Sequence, residues 1–359
     1  MCEALKVDLL DARHRAVIAE AWVDFGDGRA VTATDELSAM VSTNRVYRLS
    51  LDDGSAVIAK SSSYGSFFLF AEDHDRLHRT NQLLHGGPYE QFMANALTVD
   101  GRPYVYYDGE MWAVFYEEVE LRDRLPKILT SGQVRRLGGE IGRFHRACTS
   151  VSRMIPPPSK TAKSDAVHLF EMLGSRNARD HFGLDRSRLD LVRRHTHRLL
   201  TTIHESGYDY WPKIPVLVDW NLGNFSVETD PLDPDSFRLF SRWDYDWFRI
   251  ESRLLDFYFL SRVSSRTGDR SVFTYGSHTL LEPRFRSFLQ AYHAAFPLTE
   301  GEVRFLGEAY RFFLLNYVVR EGRHFFRYEF WQHLLHDAVD VQLPALDELD
   351  LTPLLRALF

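Results

Sequence analysis

Three features of the amino-acid sequence predict an α+β chain in two lobes, a smaller N-terminal lobe with an antiparallel sheet and a helix, and a larger, mainly helical C-terminal lobe. Short β-type runs broken by D-G turns fill most of residues 31–119. Helical periodicity dominates from Thr130 onward, and 359 residues with 45% hydrophobic and 14% aromatic content suit two lobes better than one compact unit. Between residues 214 and 256, β-rich runs carry Asp219, Asn224 and Asp244 on segments that otherwise read as buried.

The elements follow in order. Ala12, Ala16, Ala19 and Val23 space a leading helix over 11–25, ended by an F-G-D-G turn. The runs N-R-V-Y-R-L-S-L and S-A-V-I-A-K flank a D-D-G turn and predict a hairpin. Lys60 closes its second strand, where a lone lysine reads as a solvated edge charge. Just before the hairpin, Ser42, Thr43 and Asn44 offer hydroxyl, amide and backbone donors suited to phosphate oxygens, although S-T-N is also an ordinary turn composition. Leu69, Phe70, Leu77, Leu83 and Leu84 mark a helix whose first half carries Glu72, Asp73 and Asp75. Further strands span 97–119, after which polarity rises, placing the boundary between lobes 1–118 and 119–359.

The second lobe opens with a capping-box pair, Thr130 and Gln133, ahead of the stripe Val134, Leu137, Ile141, Phe144 and Cys148. His145 beside that stripe reads as a packed core histidine. A proline-rich stretch, M-I-P-P-P-S-K, is a loop, and helices over 166–207 carry R-R-H-T-H-R, which reads as solvated surface. After Asp256 the pattern is helical to the end, with a second capping box at Thr299 and Glu302. His333, His336 and Asp337 share a helix face, a loose set that surface helices carry by chance.

Composition narrows the partners. A net charge of -7 and a pI near 6.1 give no footprint for nucleic acid, and no uncharged apolar run reaches the eighteen or so residues of a membrane helix. Cys2 and Cys148 are too few for a disulfide framework, and the N-terminus has no basic start before an apolar core, so a cytoplasmic protein is expected.

Carboxylates and amides in apolar segments are costly unless paired or holding a metal, and an Asp/Asn/Asp set is hard-oxygen chemistry suited to Mg²⁺. The stretch V-D-W-N-L-G-N-F, then R-W-D-Y-D-W, then L-L-D-F resembles the catalytic loop of the aminoglycoside phosphotransferase and choline kinase superfamily, small-molecule kinases with a protein-kinase-like fold. The family pattern is H-G-D-x-x-x-x-N, a hydrophobic-D-[FW]-[DE] about twenty residues on, and a D-L-A-like end twelve later. Asp219, Asn224, Asp244 and Asp256 match these offsets together, while Leu217-Val218 replaces the usual His-Gly.

The resemblance implies an ATP- or GTP-dependent kinase acting on a hydroxyl of a small molecule such as an aminoglycoside, another antibiotic, an amino alcohol or a sugar. By it, Asp219 takes the hydroxyl proton, Asn224 and Asp244 hold Mg²⁺, and Asp246 supplies a second metal contact or is a surface charge. Lys60 pairs with the nucleotide phosphates and with a carboxylate, Glu72 first, Asp73 and Asp75 remaining open. Ser42, Thr43 and Asn44 fall in the phosphate loop, and backbone near Glu117 and Val119 meets the adenine edge. Glu251, Glu321, Glu329 and an acidic tail favour a cationic substrate, an inference that Arg320 and Arg323 blur. The competing reading is a catalytically silent kinase-like binding module, supported by Leu217 and by the glycine-free loop.

Overall fold

The computed structural model describes residues 2–38, 44–270 and 276–359. The chain divides into two compact units, Met1–Glu120 and Leu121–Phe359.

The first unit is a five-stranded antiparallel sheet with one helix on each face. Its strands are β1 (Val31–Glu36), β2 (Asn44–Leu51), β3 (Ala56–Ser62), β6 (Val105–Tyr107) and β7 (Trp112–Glu117), in the order β1-β2-β3-β7-β6. A two-residue pair, β4 (Thr98–Val99) with β5 (Arg102–Pro103), forms a small separate ladder. Alternation assigns the faces. Tyr47, Leu49, Leu51, Val57, Ala59, Ala113 and Phe115 join Val17, Ile18, Ala21 and Trp22 of helix α1 (Cys2–Phe25) in one apolar core. The helix thus begins well before residue 11, where the apolar spacing starts to show. Helix α2 (Phe67–Leu84) covers the opposite face, with Phe70 against Trp112 and His74 against Tyr116.

The second unit is mainly helical. Helix α3 (Ser131–Val151) starts at the expected capping box, with both reciprocal bonds between Thr130 and Gln133 present. Helices α4 (Ala162–Leu173), α5 (Ala178–Phe182) and α6 (Arg186–Glu205) follow. Two small antiparallel ladders come next: β9 (Phe225–Asp230) with β10 (Asp233–Arg242), and β8 (Ile214–Val216) with β11 (Arg249–Glu251). Helices α7 (Phe257–Ser264), α8 (Pro283–Ala295) and α9 (Glu300–Phe313) complete the core, and α9 runs into a π-helical segment, Leu314–Arg320. Helices α3 and α8 approach so closely that a Cβ on Gly138 would lie 2.3 Å from the Phe288 carbonyl oxygen, which explains a glycine inside a helix despite its entropic cost. Among the described residues no helix is long and apolar enough to cross a membrane.

Two expectations change. The R-R-H-T-H-R stretch is only half solvated: His195 and Thr196 are buried on α6, with His195 beside Arg311, while Arg193, Arg194 and Arg198 face outward. Histidine and threonine are small enough to lie on the apolar stripe begun by Leu189 and Val192, and periodicity counted on apolar residues alone passes over them. Glu251 has no exposed surface and accepts from Tyr208 Oη at 3.0 Å and the Ala162 amide at 2.7 Å, with Lys213 Nζ 2.8 Å away. It is a structural anchor and is not offered to a substrate. In the acidic tail, Asp340 pairs with Arg188 and Asp347 with Arg198 and Arg311, so these carboxylates are also neutralised.

Candidate functional site

In the first unit, Asn44 opens β2 and lies opposite Ser62, while Lys60 lies opposite Val46 on one side and Val114 on the other. The period-two rule therefore puts Asn44, Lys60 and Ser62 on one face, the face that α2 covers. Lys60 is 7% exposed in the central strand, which rules out a solvated edge charge. Glu72 on α2 lies 3.5 Å from Arg76, one helical turn on, and Asp75 lies 3.8 Å from the same guanidinium. Glu117 ends β7, exposed, and its carboxylate accepts from Asn95 at 2.8 Å; Val119 follows it half-buried. Ser42 and Thr43 lie outside the described residues.

In the second unit, strand pairing carries the remaining residues to one place. Arg242, the last residue of β10, pairs with Phe225, the first of β9, and the Trp243 amide donates to the Asn224 carbonyl at 3.3 Å. Asn224 and Asp244 thus leave the same open end of one hairpin, a juxtaposition that residues twenty apart owe to the turn at Asp230–Asp233. The Asp244 carboxylate accepts from the Asp246 amide at 3.1 Å, which fixes the two carboxylates within one tight turn. Asp219 sits in the loop after β8, and Arg242 Nη2 donates to its carbonyl at 2.6 Å.

That loop is unusual. Val218, at the position where the resembled family has glycine, adopts φ 59°. For a β-branched residue the left-handed region costs on the order of 1–2 kcal/mol. What holds it is Asp256, fully buried at the start of α7, whose carboxylate accepts from the Val218 amide and Trp220 Nε1, both at 2.7 Å. His145 Nε2 lies 2.9 Å from the same carboxylate and its Nδ1 2.8 Å from Tyr292 Oη, so this histidine is a packed, hydrogen-bonded group that helps orient Asp256. Further along, Arg262 bridges Asn221 and Asp269, and Asp269 accepts from the Leu222 amide at 2.9 Å.

Asp219 keeps a solvent-accessible edge, yet protein surrounds it closely enough that burial pushes its carboxyl above the ordinary value. Arg242 and Arg262 pull against this, as does a hydrogen bond from the Asn221 amide, while Asp269 adds to the rise. A carboxylate held between desolvation and two guanidinia can take a proton from a hydroxyl and release it. Asn224, Asp244 and Asp246 could hold a divalent ion. One amide oxygen with two carboxylates is a hard-oxygen set fitting Mg²⁺. Among the described residues there is no group of three or more His, Cys, Asp and Glu side chains that could hold a metal ion, so His333, His336 and Asp337 form no such site.

Arg242, Arg262 and Asp269 are the site residues that sequence reasoning passed over. For the two arginines the signal was their place in apolar runs, F-R-L-F-S-R-W and Y-F-L-S-R-V, which is expensive without a partner, whereas Asp269 in T-G-D-R carried none.

No protein-family model matches the chain, and no curated protein sequence matches it. Solved structures do. An amicoumacin kinase in complex with AMP-PNP, Ca²⁺ and Ami is similar with a TM-score of 0.61 at 12% identity, over 89% of this chain and 91% of that one. A microcompartment-associated aminopropanol kinase gives 0.62 at 14% identity, over 93% and 97%. A macrolide 2′-phosphotransferase apoenzyme from Brachybacterium faecium gives 0.50 at 13% identity, over 91% and 98%. The chain has the α+β fold of these small-molecule kinases.

Proposed function

We propose that the chain is a kinase that transfers the γ-phosphoryl group of ATP or GTP to a hydroxyl of a small molecule. The observation that carries this reading is the convergence at the open end of the β9–β10 hairpin. There the bond from the Trp243 amide to the Asn224 carbonyl joins the two metal-ligand candidates, and Arg242, one residue earlier, holds the carbonyl of Asp219. The fold supports it, since similar structures include kinases of amicoumacin and aminopropanol.

In this reading Asp219 accepts the proton of the acceptor hydroxyl as its oxygen bonds to the γ-phosphorus and the bond to the β–γ bridging oxygen breaks. Asn224 and Asp244, with Asp246 beside them, hold Mg²⁺, which when bound offsets the charge of the phosphates. Lys60 binds the α- and β-phosphates with Glu72 as its helix partner. Asn44 offers its amide to the phosphates, Ser42 and Thr43 are hydroxyl donors for the same group, and backbone at Glu117 and Val119 takes the adenine edge. The acceptor is a hydroxylated small molecule such as an amino alcohol, an antibiotic or a sugar-like compound.

The test is thermal stabilisation by ATP or GTP with Mg²⁺, followed by a turnover screen against pooled hydroxylated metabolites and antibiotics read by mass spectrometry. Asp219→Asn should keep nucleotide affinity and lose roughly 10²- to 10⁴-fold in turnover. Nucleotide binding without transfer to any acceptor would instead favour a silent binding module. Equal turnover in wild type and Asp219→Asn would remove Asp219 from the role given to it.

A further inference from the structure

Arg242 ends β10 with none of its surface exposed. Enclosing a guanidinium is costly unless its charge is paired and its donors satisfied. Among the described residues only Nη2 finds an acceptor, the Asp219 carbonyl at 2.6 Å, and Nε and Nη1 are enclosed with none. The rings of Trp220 and Tyr245, 5.4 and 5.7 Å from the guanidinium carbon, give partial compensation. A methionine of similar length would fill this place with no charge to desolvate, so stability alone does not account for an arginine.

The bond from Nη2 falls where the backbone is least comfortable. Val218 is in the left-handed region, and two tight turns follow one another, the Asp219 amide donating to the Leu217 carbonyl at 2.7 Å and the Trp220 amide to the Val218 carbonyl at 3.1 Å. Asp256 holds this turn from its N-terminal side through the Val218 amide. Arg242 holds it from the C-terminal side through the Asp219 carbonyl. Without that second hold the turn can relax toward an extended Val218, and the Asp219 side chain would rotate with its backbone.

We propose that Arg242 is a positioning residue for Asp219, fixing the strained Val218–Asp219 turn through the Asp219 carbonyl so that the carboxylate is held in one orientation. The inference rests on the phosphotransfer reading only for what the oriented carboxylate does.

Arg242→Met and Arg242→Lys, each alone and combined with Val218→Gly, separate the possibilities. Glycine adopts positive φ without strain, so the turn then needs less holding. Arg242→Met should lower the folding equilibrium constant in the wild-type background by about fivefold more than in the Val218→Gly background, read from denaturant unfolding. With an acceptor from the turnover screen, Arg242→Met should lower kcat by about 10²-fold with Mg²⁺-nucleotide affinity unchanged. Arg242→Lys, which can still donate to a carbonyl, should recover part of kcat. Should Arg242→Met fail to fold, Arg242→Leu, which likewise removes the donor, supplies the same unfolding cycle in the two backgrounds. Equal stability effects in both backgrounds would overturn the proposal. So would unchanged kcat per folded molecule, the outcome expected of a purely structural arginine. A wild type that binds nucleotide and transfers phosphate to nothing defeats the phosphotransfer reading instead, and the unfolding cycle then still decides whether Arg242 holds the turn.

Discussion

Lys60 lies in the middle strand of a five-stranded sheet, its backbone paired with Val46 on one side and Val114 on the other. Asp219 lies in a loop with a left-handed valine before it, tied by side chains that arrive from β10, α7 and the residues beyond α7. A ladder fixes Lys60 through repeating backbone bonds that almost any sequence of the right alternation would form. Asp219 depends on particular carboxylates and guanidinia, with Asp256, Arg242 and Arg262 buried and hard to replace. The two regions therefore tolerate mutation differently. The regular one should lose function without losing its fold, and the irregular one should lose both when its anchors are removed.

The largest effect is expected of Asp256→Ala. It leaves the Val218 amide, Trp220 Nε1 and His145 without their shared acceptor in a site with no access to water, and should cost about 3–5 kcal/mol in denaturant unfolding. Asp256→Asn, which keeps the acceptor oxygen, should cost less. An effect below about 1 kcal/mol for Asp256→Ala would mean that the loop holds itself and would erase the contrast.

Lys60→Met tests the other side. Methionine fits a buried strand position, so unfolding should change by less than about 1 kcal/mol, while Mg²⁺-nucleotide affinity should fall roughly 10- to 100-fold as a charge-assisted phosphate contact is lost. Retained affinity would remove Lys60 from the nucleotide site.

The pH dependence sharpens the contrast further. Burial raises the Asp219 carboxyl above its unfolded value of 3.8, so its contribution to stability is fully present below that pH and is lost as pH rises through the folded value. Asp219→Asn should accordingly be more stable than wild type at neutral pH, an advantage that shrinks as the buffer approaches pH 3.8. A constant difference across that range would show that the carboxylate is not under strain.

A further pH effect belongs to the first unit. His14, bonded to Ser61 at 3.0 Å, is lowered from 6.5 to about 4, chiefly by burial with Arg45 adding, and Asp11 and Glu36 opposing. A depressed value gives stability above pH 6.5 that is lost as pH falls through about 4. Wild type should lose stability over that window relative to His14→Gln, measured by unfolding at stepped pH, and parallel curves would place the acid sensitivity elsewhere.

By itself the sequence determined what local physics can carry. Alternating β-branched and aromatic residues with D-G turns specified the β2–β3 hairpin, apolar spacing with two capping boxes specified α3 and α9, and the joint offsets of Asp219, Asn224, Asp244 and Asp256 marked the candidate site before any fold was seen. Such signals lie within one element, or at fixed spacings along the chain, and so survive without three dimensions. The roles of the charged residues came from packing. That Lys60 lies in the central strand, and not at an edge where a lone lysine is usual, could not be read locally, because strand order is not written in any one strand. Glu251 went from a candidate substrate contact to a buried anchor because Tyr208, Lys213 and Ala162 come to it from distant positions. Arg242 stayed hidden because a register shift between Leu239 and Ser241 breaks the alternation that would have told its face. A buried charge is stabilised by whichever partners the fold brings to it, and those partners are a property of the packed chain.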